Sequence, residues 1–192
     1  MSRTGARVVV FAAFAWLAVA APADPPRAPR PGIPFLATPQ DVVEKMLELA
    51  KVKREDLVYD LGCGDGRIVV TAARKYGCKA AGYDIDPECV RMSRDNVQKH
   101  DVGRLVTIEK RDVFTLDLSK ADVVALYLLP RMNERLLPQF GKLRAGARIV
   151  SHAFEIPGVK PDEVATCRSA EDDVEHKIYL YTTPLKRSKS GE

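Results

Sequence analysis

At 192 residues, 46% apolar and 29% charged, the chain has room for one domain with a full core and is too short for two sizeable ones. Its net charge of +4 includes Arg3 and Arg7, and the stretch from Asp24 onward carries only +2, too little by itself to indicate a nucleic-acid binder. The four cysteines, Cys63, Cys78, Cys89 and Cys167, contain no C-x-x-C pairing, so no zinc or other metal site is expected and buried free thiols are.

Arg3 and Arg7 precede a charge-free apolar run from Val8 to Ala20, followed by small residues and prolines. This layout reads as a secretory signal peptide over residues 1–23, with Ala18-Val19-Ala20 or Ala21-Pro22-Ala23 as cleavage sites. Thirteen apolar residues span about 20 Å as a helix, short of the roughly 30 Å hydrocarbon core. Ala21 and its flanks extend the run, which keeps an uncleaved membrane anchor open. Export or anchoring is the expectation, with a cytoplasmic location as the alternative. Six prolines between Pro22 and Pro34 then exclude helix and central strand, and residues 24–37 read as an extended linker.

Thr38-Pro39 opens the domain proper, over residues 38–184: Thr38 is expected to cap a helix and Pro39 suits its first turn. Val42, Val43, Met46, Leu47 and Ala50 share one face of that helix. From residue 57 strand and helix patterns alternate. Strands are predicted at 57–61, 79–84, 105–109, 122–128 and 147–152, and helices at 66–76, 87–99 and 131–143, with a short one near 115–120. The continuous apolar run Val123–Leu129 suits a parallel sheet covered on both faces. After residue 160 no helix separates Val164–Cys167 from Lys177–Thr182, so the chain should close on an antiparallel pair. Residues 185–192 read as a basic, solvated tail.

The most informative stretch is Leu57-Val-Tyr-Asp-Leu-Gly-Cys-Gly-Asp-Gly66. An apolar strand ends in an acid, and glycines at 62, 64 and 66 let the backbone pass close to a ligand at a helix N-terminus. A second strand ends in Asp84, 22 positions after Gly62, a distance that suits ribose hydroxyls. A dinucleotide-binding dehydrogenase would place its third glycine where this chain has Arg67. The pattern resembles the S-adenosylmethionine (SAM) site of class I, seven-strand methyltransferases.

That resemblance covers roughly residues 38–184 and implies an α/β fold: a doubly wound, mostly parallel seven-stranded sheet with an antiparallel edge strand. It implies that Asp60 and the loop of Gly62, Cys63, Gly64 and Gly66 hold the methionine part of SAM. Asp84 would grip the ribose, Ile85 would pack on the adenine, and Asp112 and Val113 would meet the adenine edge. Asp86, before Pro87, reads as a helix N-cap. Methyltransferases acting on exocyclic base amines commonly carry Asn/Asp-Pro-Pro-aromatic after the fourth strand, whereas this chain has Tyr127-Leu-Leu-Pro130, so a nucleic-acid acceptor is not expected. The Thr38-Pro39 start, the glycine loop and the Leu-Leu-Pro130 step look like small protein-lysine methyltransferases. Tyr127 and His152 are the catalytic candidates, with Glu155 nearby, while His100 and His176 read as surface residues. A small-molecule methyltransferase, a nicotinamide-dependent oxidoreductase and a non-catalytic SAM-binding module remain the alternatives, and the oligomeric state is open.

Overall fold

The computed structural model describes residues 36–188. The proposed signal segment over 1–23, most of the linker and the last four residues lie outside the described residues. The domain begins with α1 (Gln40–Leu49) and β1 (Leu57–Leu61), then α2 (Arg67–Tyr76), β2 (Lys79–Asp84), α3 (Pro87–Lys99) and β3 (Val106–Lys110). There follow a 3-10 turn (Val113–Thr115), β4 (Val123–Leu126), α4 (Pro130–Arg135), α5 (Leu137–Phe140), β5 (Arg148–His152), β6 (Glu163–Arg168) and β7 (Glu175–Thr182).

The strands form one seven-stranded sheet in the order β3-β2-β1-β4-β5-β7-β6. The first five are mutually parallel, while β7 runs antiparallel between β5 and β6. This is the expected doubly wound sheet with its antiparallel edge. Residues alternate between two cores: Val58, Val123 and Ala125 join Met46, Val69 and Val90 on one face. Leu61, Val124 and Leu126 join Leu136 and Phe140 on the other. Both sheet faces are therefore covered, which explains why β4 is apolar at every position.

Three expectations are corrected. The helix predicted over 131–143 is two short helices, because Pro138 has no N–H to give and its ring excludes the carbonyl four residues back. The helix predicted near 115–120 is replaced by the turn at 113–115, which Asp112 opens by accepting from the Phe114 N–H at 2.9 Å. Thr38 does not cap α1. Pro39 occupies the cap position without a side-chain bond, and the Thr38 hydroxyl turns to His152 instead.

Candidate active site

Strand order reverses between β1 and β4, the place where open α/β sheets bind ligands beyond their carboxyl ends. Parallel register aligns those ends: Leu61 lies beside Tyr83 and Leu126, Leu126 beside Ser151, and Asp84 beside Lys110. The loops after β1 to β5 consequently open along one edge, bringing together most of the residues singled out in the sequence.

The loop after β1 is tied down at nearly every step. Gly62 and Cys63 donate their N–H groups to the Tyr83 carbonyl at 2.8 and 3.0 Å. The Gly64 N–H reaches the Asp84 carboxylate at 3.0 Å. From α3, Ser93 donates to the Gly64 carbonyl at 2.7 Å and Asn96 to that of Asp65 at 3.2 Å. At Gly62 and Gly66 the left-handed backbone, φ +78° and +76°, coincides with close approach. A Cβ on Gly62 would stand 2.9 Å from Leu128, and one on Gly66 would stand 3.0 Å from Ser93. Cys63 is buried, with Sγ 3.5 Å from Ser93 Oγ. Burial, first, holds its thiol well above the ordinary range, so it packs rather than reacts.

Asp60 is the electrostatic anomaly. It is 2% exposed, and its Oδ2 has no hydrogen-bond partner. Burial, then the carboxylates of Asp84 and Asp65, push its acid up to about 8. A buried carboxyl with an unanswered oxygen is satisfied either by a proton or by a cation. Asp84, half-buried at the end of β2, accepts from the N–H groups of Gly64 and Asp86 at 3.0 and 2.9 Å. Asp86 caps α3 as expected, accepting from Glu88 N–H at 2.8 Å. Ile85 follows Asp84 and is 65% exposed, an uncovered apolar side chain at the site edge. Asp112 lies half-buried at the turn after β3, while the Val113 side chain is in the core with its carbonyl held by Gln139 at 3.0 Å.

A wall of rings stands after β4 and β5. Tyr127 packs on His152, ring centroids 4.1 Å apart, and on Phe154 at 6.2 Å. Ala153 between them has φ +62°, a left-handed turn that costs an alanine about 1–2 kcal/mol. His152 is fully buried, and burial, with His176 adding to it, pulls its basicity down to about 4. Both its ring nitrogens are engaged, Nδ1 by Thr38 at 3.0 Å and Nε2 by His176 at 2.9 Å, so it is placed to brace Tyr127 rather than to act as a free base. His176 and His100, read as surface residues, are both half-buried, whereas Glu155 is exposed. Sequence reasoning missed Thr38, Phe154, His176 and Asp172 as parts of this wall. Thr38 and His152 are 114 residues apart, and no period or motif marks their meeting. Among the described residues no group of three His, Cys, Asp or Glu side chains is arranged to hold a metal ion.

Residues 60–163 match a family described as the ANTKMT methyltransferase domain. The chain is 44% identical over 153 residues to a protein-lysine N-methyltransferase of Saccharolobus islandicus, covering 79% of this chain and 94% of that protein. It is 30% identical over 131 residues to the adenine nucleotide translocase lysine N-methyltransferase of Mus musculus, covering 67% of this chain and 56% of the mouse protein. Among solved structures, an RNA methyltransferase from Salinibacter ruber in complex with S-adenosylhomocysteine superposes with a TM-score of 0.72. That protein is 40% identical, with 82% of this chain and 99% of that one covered.

Proposed function

We propose, for a chain that belongs to the ANTKMT methyltransferase family, that the methyl acceptor is the ε-amine of a protein lysine. The protein is a SAM-dependent methyltransferase. The observation that supports lysine is the 44% identity to a protein-lysine N-methyltransferase over 79% of this chain. The similar structure named for RNA makes RNA the rival acceptor. Against it stands the exit of β4, where Tyr127-Leu-Leu-Pro130 offers no polar side chain between ring and proline to bond a base amine.

The residues present fit the cofactor. The unanswered Oδ2 of Asp60 suits the positive charge of the methionine part. The glycine loop, with Cys63 packed beneath it, presents backbone without Cβ atoms beside that charge. Asp84 would take the ribose hydroxyls, and Ile85, Asp112 and Val113 the adenine. When bound, SAM supplies a methyl group already activated by its sulfonium charge. The chain itself must align a neutral amine, desolvate it and exclude water. Stripping water from a lysine ammonium disfavours it relative to the amine, so desolvation at the acceptor site promotes loss of its proton. Burial raises the Tyr127 phenol above its ordinary value, so at neutral pH it keeps its proton.

Two measurements test this reading. Titration calorimetry of Asp84→Ala should show SAM binding weakened by about 10- to 100-fold, the size of one or two charged hydrogen bonds. Unchanged affinity in the folded variant would remove Asp84 from the ribose. Tritiated-methyl SAM, incubated with poly-L-lysine, unfractionated protein and total RNA in parallel, should label protein as methyl-lysine after acid hydrolysis. Label confined to RNA would overturn the lysine assignment and leave the cofactor assignment standing.

A further inference from the structure

Four side chains from four parts of the fold form one hydrogen-bonded row behind Tyr127. Asp172, in the turn before β7, lies 3.1 and 3.2 Å from His176 Nε2. His176 Nδ1 is 2.9 Å from His152 Nε2 at the end of β5. His152 Nδ1 is 3.0 Å from the Thr38 hydroxyl, in the segment that enters α1.

With each ring carrying a single hydrogen, the protons in this row are fixed from one end. An ionised carboxylate only accepts, so His176 Nε2 carries a hydrogen. A neutral imidazole then has a bare Nδ1, which accepts from His152 Nε2–H. That leaves His152 Nδ1 bare, and the Thr38 hydroxyl donates to it. The Thr38 carbonyl is also taken, by Arg67 Nη1 at 2.7 Å, and Arg67 holds the Asp65 carboxylate of the glycine loop at 2.7 Å. Thr38 thus joins the cofactor loop to the ring wall, and the Tyr127 ring rests on His152, next to Thr38 in the row.

We propose that His176 and Asp172 are positioning residues for the acceptor: they impose the Nε2–H tautomer on His152 and so hold the Thr38 hydroxyl and the Tyr127 ring in the acceptor wall. The inference rests on Tyr127 belonging to that wall. Arg67 holds the main-chain carbonyl of Thr38, whereas the row ends on its side-chain hydroxyl, so breaking the row leaves the loop's anchor in place and the effect falls on the acceptor side. Glutamine can replace His176 in this role, because its amide oxygen accepts from His152 and its NH2 donates to Asp172. Leucine can do neither.

Long-range nitrogen–proton NMR of the histidine side chains in the full chain, at pH 7 and without any variant, reads the tautomers directly. Neutral Nε2–H forms at both His152 and His176 are expected, and an Nδ1–H form at His152 overturns the proposal. The variants add a second readout. In His176→Leu the KM for poly-L-lysine should rise about tenfold, the loss expected from one buried hydrogen bond, while SAM affinity by calorimetry is unchanged. His176→Gln should restore most of that loss. A glutamine variant no better than leucine, or SAM affinity falling in step with activity, overturns it. Should poly-L-lysine accept no methyl group from the unaltered protein, the lysine reading is what suffers, and the tautomers alone decide the present inference.

Discussion

A carboxyl group that is 2% exposed, with one oxygen unpartnered and two acids nearby, holds its proton up to about pH 8. Asp60 is therefore largely neutral in the empty protein at pH 7, and a cationic ligand recruits its charged form. Binding and proton release are then linked. The ratio of SAM affinities, unaltered protein over Asp60→Asn, should rise as pH increases from 6 and level off above about 8. Taking the ratio removes the titration of the ligand's own amine. Calorimetry at several pH values, in buffers of different ionisation enthalpy, checks both the rise and the released proton. A ratio that stays flat with pH would separate Asp60 from the cofactor's charge.

The β1–loop–α2 unit is the element in which local chain chemistry and the site coincide, and two of its glycines separate the contributions. Gly77 ends α2 with φ +67° and has its nearest would-be Cβ neighbour at 3.9 Å. Gly77→Ala should cost only the left-handed penalty of about 1–2 kcal/mol and leave SAM binding intact. Gly66 starts the helix with φ +76°, and an added Cβ would sit 3.0 Å from Ser93, which anchors the Gly64 carbonyl. Gly66→Ala should therefore cost more, about 2–4 kcal/mol, and weaken SAM binding as well. Thermal melts with parallel titrations distinguish the two. This element was legible in the sequence because its demands are local: an apolar run, an acid, and glycines where side chains collide. The ring wall was legible only in Tyr127 and His152, at the ends of β4 and β5, since Thr38 and His176 join them through the sheet order and carry no spacing of their own. Between these extremes lies the segment 131–143, whose apolar pattern is helical throughout but whose Pro138 decides where the helix breaks.

Across the whole molecule, the two buried groups whose shifts fall between pH 4 and 8 drive stability in opposite directions. Burial lowers His152 from 6.5 to about 4, so between those values the unfolded chain takes up a proton that the folded one refuses. This contribution is complete above pH 6.5 and is lost as pH falls toward 4. Asp60 is raised from 3.8 to about 8, so the folded protein keeps a proton that the unfolded chain has released. Its neutral-state stability is complete below 3.8 and lost as pH rises toward 8. From pH 4 to 6.5 the slopes cancel and stability should be nearly flat. Above 6.5 only Asp60 acts, and stability should fall by about 2 kcal/mol by pH 8. Asp41 and Asp162, held low by hydrogen bonds to Ala170 and Lys186 respectively as the leading causes, add stability that disappears only below the usual carboxylate range. Urea unfolding from pH 4 to 8.5 measures the profile. Asp60→Asn should abolish the alkaline fall, and saturating SAM should reduce it by answering the same carboxylate. Replacing His152 by Gln should expose the Asp60 slope from pH 4 upward. Stability that rises between pH 6.5 and 8 in the unaltered protein would show that Asp60 is ionised in the empty site, and the proton-linked account of SAM binding would fall with it.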